Sequence, residues 1–233
     1  MIALKINGEV LNYASQELKA DRNMAAVKNK GVGLFYLSPI FKYDKEIVMV
    51  AVKNNGSSIQ YTSENLKTDK EIVLVTAKNA GFYHIPNIFK DDKEVVLAIV
   101  SNNGFLLKDT SDIFKKNKDI VLAAVKNNGS SLEIASDDLK DNKEVVMAAV
   151  KQNENALQYA YDDLKDNKEV VIAAIKQNEN TLQYASEKKK DDKEVVIAAI
   201  SKDPSMFYYA SDEMRSDNDV LKAANMFSDD EEM

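Results

Sequence analysis

The 25 residues NKEVVMAAVKQNENALQYAYDDLKD, Asn142 to Asp166, run without a break into NKEVVIAAIKQNENTLQYASEKKKD, Asn167 to Asp191, and 18 of the 25 aligned positions are identical. So near a duplicate constrains the fold more than composition does. A unit of this size buries too little surface to stand alone, so neighbouring copies must cover one another's apolar faces. Numbering from the Asp or Asn ahead of the Lys-Glu pair, position 0 falls at Asp21, Asp44, Asp69, Asp92, Asn117, Asn142, Asn167, Asp192 and Asp217. The steps are 23 or 25 residues, a period that belongs to a stacked array.

Each repeat has the same internal plan. Position 0 offers a side-chain oxygen to backbone N–H groups that the first turn of a helix cannot satisfy. An acid follows at position 2, as in Glu46, Glu94 and Glu144, where the positive end of the helix dipole favours it. A run such as VVMAAV then predicts a helix of about three turns covered on several sides. Glycine at position 12, as in Gly56, Gly81, Gly104 and Gly129, predicts a left-handed residue closing that helix. Where Glu154 and Glu179 replace it, Asn153 and Asn178 are expected to take the left-handed conformation instead. A shorter helix of about two turns follows, carrying Leu157, Tyr159 and Ala160 inward in the Asn142 repeat. Serine at position 19, as in Ser38, Ser63, Ser111, Ser136, Ser186 and Ser211, predicts the cap of a final tight turn of 3₁₀ type. That turn delivers one apolar residue to the core, among them Phe89, Phe114, Leu139 and Leu164. In the last repeat Lys222 and Asn225 stand at positions that are apolar elsewhere, which suits an outer, unstacked face.

The pattern NKDIVLAAVKNNGSSLEIASDDLK, Asn117 to Lys140, together with the two repeats quoted above, resembles the repeat of domain of unknown function 4116. The resemblance spans nearly the whole chain. It implies an all-helical tandem array and brings no catalytic, cofactor-binding or partner-binding residues. The expected fold is an all-α solenoid of about nine repeats of 23–25 residues, each a longer helix, a shorter helix and a capped single turn. Residues 1–227 are expected to form a single array and 228–233 an acidic tail.

Composition excludes several classes of function. No cysteine is present, so there are no disulfides or thiolate metal sites, which suits a reducing, cytoplasmic setting. No run approaches 18 apolar residues, so no membrane partner is expected. The net charge is −7, of which the four acids of SDDEEM account for −4, and the remaining −3 gives no basic field of the kind nucleic acid demands. His84 is the one histidine and fills a position that is tyrosine in other repeats, such as Tyr61 and Tyr159. Adjacent acids such as Asp137–Asp138 and Asp162–Asp163 point apart on a helical turn. With no phosphate loop, no catalytic triad and no cofactor motif, the chain reads as a non-enzyme without metal or cofactor.

The informative feature is a departure from the repeat. Positions 13, 14 and 16 are mostly small polar residues, as in Ser57, Ser58, Gln60, Ser130 and Ser131. In three repeats of the N-terminal half they become Val32, Phe35, Phe82, Tyr83, Phe105 and Leu106. Exposed aromatics on stacked neighbours mark a partner site, so protein–protein binding through these six residues is the leading expectation. The plain structural alternative is extra apolar filling of irregular repeats. The functional alternative is nucleic-acid binding, or blocking of a nucleic-acid machine, through lysine ladders at positions 1, 9 and 23. The register itself is testable. Val146→Asp puts an unpaired charge into the seam between repeats, a large cost, and is expected to unfold the segment from Asn117 to Asp191. A circular dichroism melt identical to the parent's would refute the register.

Overall fold

The computed structural model describes residues 33–226. Among them there is no strand, and helices follow one another in the repeat order throughout. The chain divides between Asn102 and Asn103 into two compact bodies, each taken here by itself. Within each, helices stack on the corresponding helices of the next repeat, so each body is a stretch of α-solenoid.

The long helices run over Lys45–Asn54, Lys70–Ala80 and Lys93–Asn102 in the N-terminal body. In the C-terminal body they are Lys118–Asn127, Lys143–Gln152, Lys168–Gln177, Lys193–Ile200 and the shorter Asn218–Ala223. Position 0 caps each as expected: Asp44 Oδ1 accepts from the N–H groups of Glu46 and Ile47 at 2.9 and 3.1 Å, and Asn142 Oδ1 from that of Val145 at 3.3 Å. Positions 3, 4, 7 and 8 form the buried face, Val145, Val146, Ala149 and Val150 in one case. The helix is therefore not covered all round. Positions 5 and 6, such as Met147 and Ala148, are only half-buried. In the last repeat Lys222 and Asn225 are exposed, as their polarity requires.

The second and third elements exchange the helix types expected of them. The second is a six-residue 3₁₀ helix, as at Gly56–Tyr61, Gly129–Ile134 and Glu179–Tyr184. The third is a four-residue α-turn, as at Glu64–Lys67, Asp137–Lys140 and Asp162–Lys165. The reason lies in spacing. Gly129, Leu132 and Ala135 are all buried and stand three apart, the period of a 3₁₀ turn, whose residues i and i+3 eclipse. An α-helix would swing the third of them off that edge.

The glycine at position 12 has a different purpose from the one its neighbourhood suggests. Among the described glycines, only Gly81 is left-handed, at φ 61°. Elsewhere the turn is made by an extended Asn, with Asn55 at φ −152° and Asn128 at φ −143°. Asn153 and Asn178 are extended in the same way, not left-handed. This Asn caps the 3₁₀ helix, its side chain accepting from the N–H two residues on. At Gly56, Gly104 and Gly129 the next repeat passes too close for a Cβ. One on Gly56 would lie 2.7 Å from Ala80 Cβ, and one on Gly104 or Gly129 would strike the backbone carbonyl of Ala124 or Ala149.

The two-residue deletion in the Asp69 repeat removes the six-residue 3₁₀ helix. The long helix extends to Ala80, turns at left-handed Gly81 and reaches the short helix Asn87–Phe89 directly. Pro204 has a milder effect: it occupies the first turn of its 3₁₀ helix, and the preceding long helix stops at Ile200, short of where its neighbours end.

Three kinds of bond cross the seams between repeats. The position-19 N–H donates to a carbonyl of the preceding repeat: Ser63 to Lys42 at 3.0 Å, Ser136 to Lys115 at 3.0 Å, Tyr161 to Lys140 at 3.2 Å and Ser186 to Lys165 at 3.1 Å. The serine hydroxyl caps the following turn only in Ser186 and Ser211, and makes no capping bond in Ser63, Ser111 or Ser136. The position-10 side chain reaches back to the helix before it. Asn79 donates to the Val52 carbonyl at 3.0 Å, Gln152 to that of Asn127 at 3.1 Å and Lys202 to that of Lys176 at 2.9 Å, while Asn127 accepts from the Gly104 N–H at 2.8 Å. Lastly, the position-1 lysine pairs with acids at positions 0 and 2 of the following repeat: Lys45 with Asp69 and Glu71 at 2.8 and 2.9 Å, Lys70 with Asp92 and Glu94 at 2.9 Å each, and Lys168 with Asp192 and Glu194 at 3.0 and 2.7 Å.

Two expected outcomes follow from the seam. Gly129→Ala forces a Cβ against backbone that cannot swing away, and overpacking of this kind costs about 1–3 kcal/mol. Chemical denaturation should show a loss in that range, and a loss below about 0.5 kcal/mol would mean the seam opens freely. The second outcome concerns pH. The lysine bonds hold the Asp69 and Asp92 carboxyls below the ordinary carboxylate range and raise Lys45, Lys70 and Lys168. A depressed acid stabilises the fold above its unfolded pKa and loses that effect as pH falls. A raised lysine stabilises it below its unfolded pKa and loses that effect as pH rises. The ladder's contribution is therefore whole between about pH 4 and 10. The melting difference between the parent and Lys45→Gln/Lys168→Gln should stay constant from pH 5 to 9 and close below about pH 4.

Candidate protein-binding surface

The turns and short helices, not the long helices, carry the residues singled out by the sequence. Val32 lies outside the described residues. In the N-terminal body, Phe35 sits in the short helix Gly33–Tyr36. It is about half exposed, with its ring edge-on to Tyr61 at 5.0 Å between centroids. Tyr83 follows left-handed Gly81 and is largely exposed, its ring perpendicular to that of His84 at 4.5 Å. Phe82 is only half-buried. In the C-terminal body, Phe105 is about half exposed, with Lys108 Nζ 4.1 Å above its ring, the geometry of a cation–π contact. Leu106 is half-buried. The expectation of substantial exposure therefore holds for Phe35 and Phe105 and is too strong for Phe82 and Leu106. For Leu106 the cause is the 3₁₀ geometry, which turns position 14 inward: its occupants Ser58, Ser131 and Thr181 are buried, so Leu106 partly fills a core slot.

Sequence reasoning missed a second set. Ile40, Ile88 and Ile113 are 71, 70 and 70% exposed, and Tyr43 is exposed beside Ile40. All three isoleucines stand at position 21, where regular repeats carry Asp138, Asp163, Lys188 or Glu213. Each precedes a phenylalanine, in Ile40-Phe41, Ile88-Phe89 and Ile113-Phe114. On a single turn, adjacent side chains point apart, so one member faces the core and the other faces out. Phe114 is buried, and Phe41 and Phe89 are half-buried. The recurrent Ile-Phe pair was the available signal. Exposed aromatics also occur in the C-terminal body, at Tyr161 and Tyr208.

The charged ladders differ in how far they are committed. Position-1 lysines are held by the next repeat's acids, as described. Position-23 residues pair within their own turn: Lys67 with Glu64 at 2.7 Å, Lys115 with Asp112 at 3.0 Å and Lys190 with Glu187 at 2.8 Å. Lys189, at a slot held by Leu164 and Met214 in the adjoining repeats, lies 3.5 Å from Asp166. His84 is half-buried, and burial lowers its pKa, which leaves the imidazole neutral at pH 7. Among the described residues, no three His, Cys, Asp or Glu side chains gather as a metal site would require. Nor is any helix among them long and apolar enough to cross a membrane.

No curated protein matches the chain, and no solved structure does. Five tandem stretches, residues 23–67, 44–90, 92–140, 142–188 and 192–226, match one family, and their boundaries follow the repeats seen in the structure. Since they cover most of the sequence, the chain belongs to the family described as Domain of unknown function (DUF4116).

Proposed function

We propose that this chain is a non-catalytic protein-binding module that presents apolar side chains of its N-terminal body to a protein partner. The observation that carries this reading is the exposure of Ile40 and Ile88, 71 and 70%. A side chain so open to water is not filling a core, and the same position is charged in the four regular repeats that carry Asp138, Asp163, Lys188 and Glu213. Tyr43, Tyr83 and Phe35 add aromatic area in the same body. Aromatic and aliphatic anchors of this kind gain affinity by being desolvated on contact, with polar neighbours closing the rim. The lysine ladder at position 1 favours this reading over nucleic-acid binding, because its charges are already met by acids of the following repeat.

The test is a paired substitution. Ile40→Asp with Ile88→Asp removes the exposed apolar residues, and because surface changes away from packed sites stay within about ±0.5 kcal/mol, helical circular dichroism and melting should match the parent. Asp163→Ala with Glu213→Ala alters the same position in the C-terminal body and serves as control. Quantitative affinity capture from native host extract should yield a partner held by parent and control and lost from the isoleucine variant, with at least about 2 kcal/mol of affinity removed. If the isoleucine variant retains every captured protein, this surface is not the binding site. If capture falls steeply with salt and is abolished by nuclease, nucleic acid is the ligand.

A further inference from the structure

One ladder is left unmatched. Lys126, Lys151 and Lys176, at position 9 of three consecutive repeats in the C-terminal body, are exposed. Among the described side chains none has an acid within ion-pair distance, whereas Lys118, Lys143 and Lys168 at position 1 of the same helices all do. The unmatched lysines border the outer face of the long helices. That face is floored by the half-buried positions 5 and 6, Met147 with Ala148 and Ile172 with Ala173. Small alanine beside a larger aliphatic residue leaves a concavity between successive helices. Lys126, Glu144, Met147, Ala148, Lys151 and Gln152 enclose a groove of about 550 Å³. In the N-terminal body Leu74, Lys78, Glu94, Leu97 and Ala98 enclose a groove of about 500 Å³ from the same repeat positions. The groove is thus a property of the repeat, not an accident of one place.

Its electrostatics are one-sided. The glutamates on the far edge are already neutralised: Glu144 by Lys118 at 2.6 Å, and Glu194 by Lys168 at 2.7 Å. Glu169 is held in the same way by Lys143. The near edge carries three cations without an ion-pair partner among the described residues, and Lys126 and Lys151 act on Glu144 and Glu169 only at longer range. An apolar floor beside an uncompensated cationic edge is complementary to a ligand that is itself apolar on one side and anionic on the other.

We infer that this groove binds an extended acidic peptide segment of another protein, running across the long helices with a carboxylate at every third residue. The spacing supplies the register. Packed helices lie about 8–10 Å apart, so the lysines recur at about that interval. A polyproline II strand advances about 3.1 Å per residue, or about 9.3 Å per three-residue turn. One carboxylate therefore meets one lysine per repeat, and the residues between lie on the aliphatic floor. The surface is separate from the isoleucine face argued above, so either can fail while the other stands.

Fluorescence anisotropy on the full chain tests the inference with a labelled twelve-residue peptide of Glu-Pro-Ala repeats. A peptide of the same composition with its four glutamates contiguous controls for net charge. The spaced peptide should bind at least ten-fold more tightly than the contiguous one. Lys126→Gln/Lys151→Gln/Lys176→Gln should lose at least ten-fold in affinity. Lys140→Gln/Lys165→Gln/Lys190→Gln, with the same charge removed at position 23, should lose less than two-fold. Ala148→Trp fills the groove without changing charge and should also abolish binding, and because Lys126, Lys151 and Lys176 are exposed, a misfolded tryptophan variant leaves the test intact. Equal affinity for the two peptides, equal loss in the two lysine triples, or undetectable binding of the spaced peptide would each overturn the inference. A single-stranded twelve-nucleotide DNA that binds more tightly than the spaced peptide, with the same dependence on Lys126, Lys151 and Lys176, would overturn it in favour of a phosphate backbone.

Discussion

The backbone bond from the position-19 N–H to a carbonyl of the preceding repeat, made by Ser63, Ser136, Tyr161, Ser186 and Ser211, is the constraint on which the packing of the regular repeats depends. It asks nothing of the side chain, and Tyr161 makes it as well as Ser136 does. It fixes where the start of one α-turn sits against the end of the previous one, and so fixes the register of everything between. With that register set, the long helices stack on one another with positions 3, 4, 7 and 8 buried, and position 7 is small in several of them, as at Ala124, Ala149 and Ala174. The close approach in turn excludes a Cβ at Gly56, Gly104 and Gly129. The glycine is a consequence of seam geometry, not the source of a turn.

The period, the position-0 caps and the buried long-helix face were legible in the sequence because each is set within a few residues. Capping depends on one side chain and its next turn, and the helix face on apolar spacing. What the sequence did not disclose depended on the neighbour across the seam. Glycine after a helix has two physical explanations, left-handed backbone and close approach. Both occur here, the first at Gly81 and the second at Gly104 and Gly129. Likewise Leu132 and Ala135 read as part of a short α-helix until the burial of Gly129 reveals a three-residue period.

The candidate binding residues show the same division. Phe35, Tyr83 and Phe105 were visible as departures from a polar consensus, and they are exposed. Ile40, Ile88 and Ile113 escaped notice because isoleucine beside phenylalanine looks like core. Only the geometry of a single helical turn separates the inward member of the pair from the outward one. The charge ladders looked equivalent as spacing alone. Their difference, with one set spoken for and another free, arises from reach: position 1 sits at the helix start beside the next repeat's cap, and position 9 sits near the helix end, away from it.

The ion pairs across the seam have a direction. Lys45, Lys70 and Lys168 each give their charge forward, and Asp69, Asp92 and Asp192 receive it from behind. The backbone and amide bonds run the other way, with donors such as Ser63 and Asn79 reaching backward. A repeat copied whole therefore arrives with a complete set of complements for the repeats on both sides. An array built this way can lengthen by duplication without any compensating substitution. The near-identity of the Asn142 and Asn167 repeats is what such growth leaves behind. Partial losses spare the capped long helix and its ion pairs: the Asp69 repeat keeps Asp69 and Lys70 and gave up its residues from the stretch that elsewhere forms the 3₁₀ helix. The seam thus acts as a grammar for length, permitting whole words to be added and restricting where letters can be dropped.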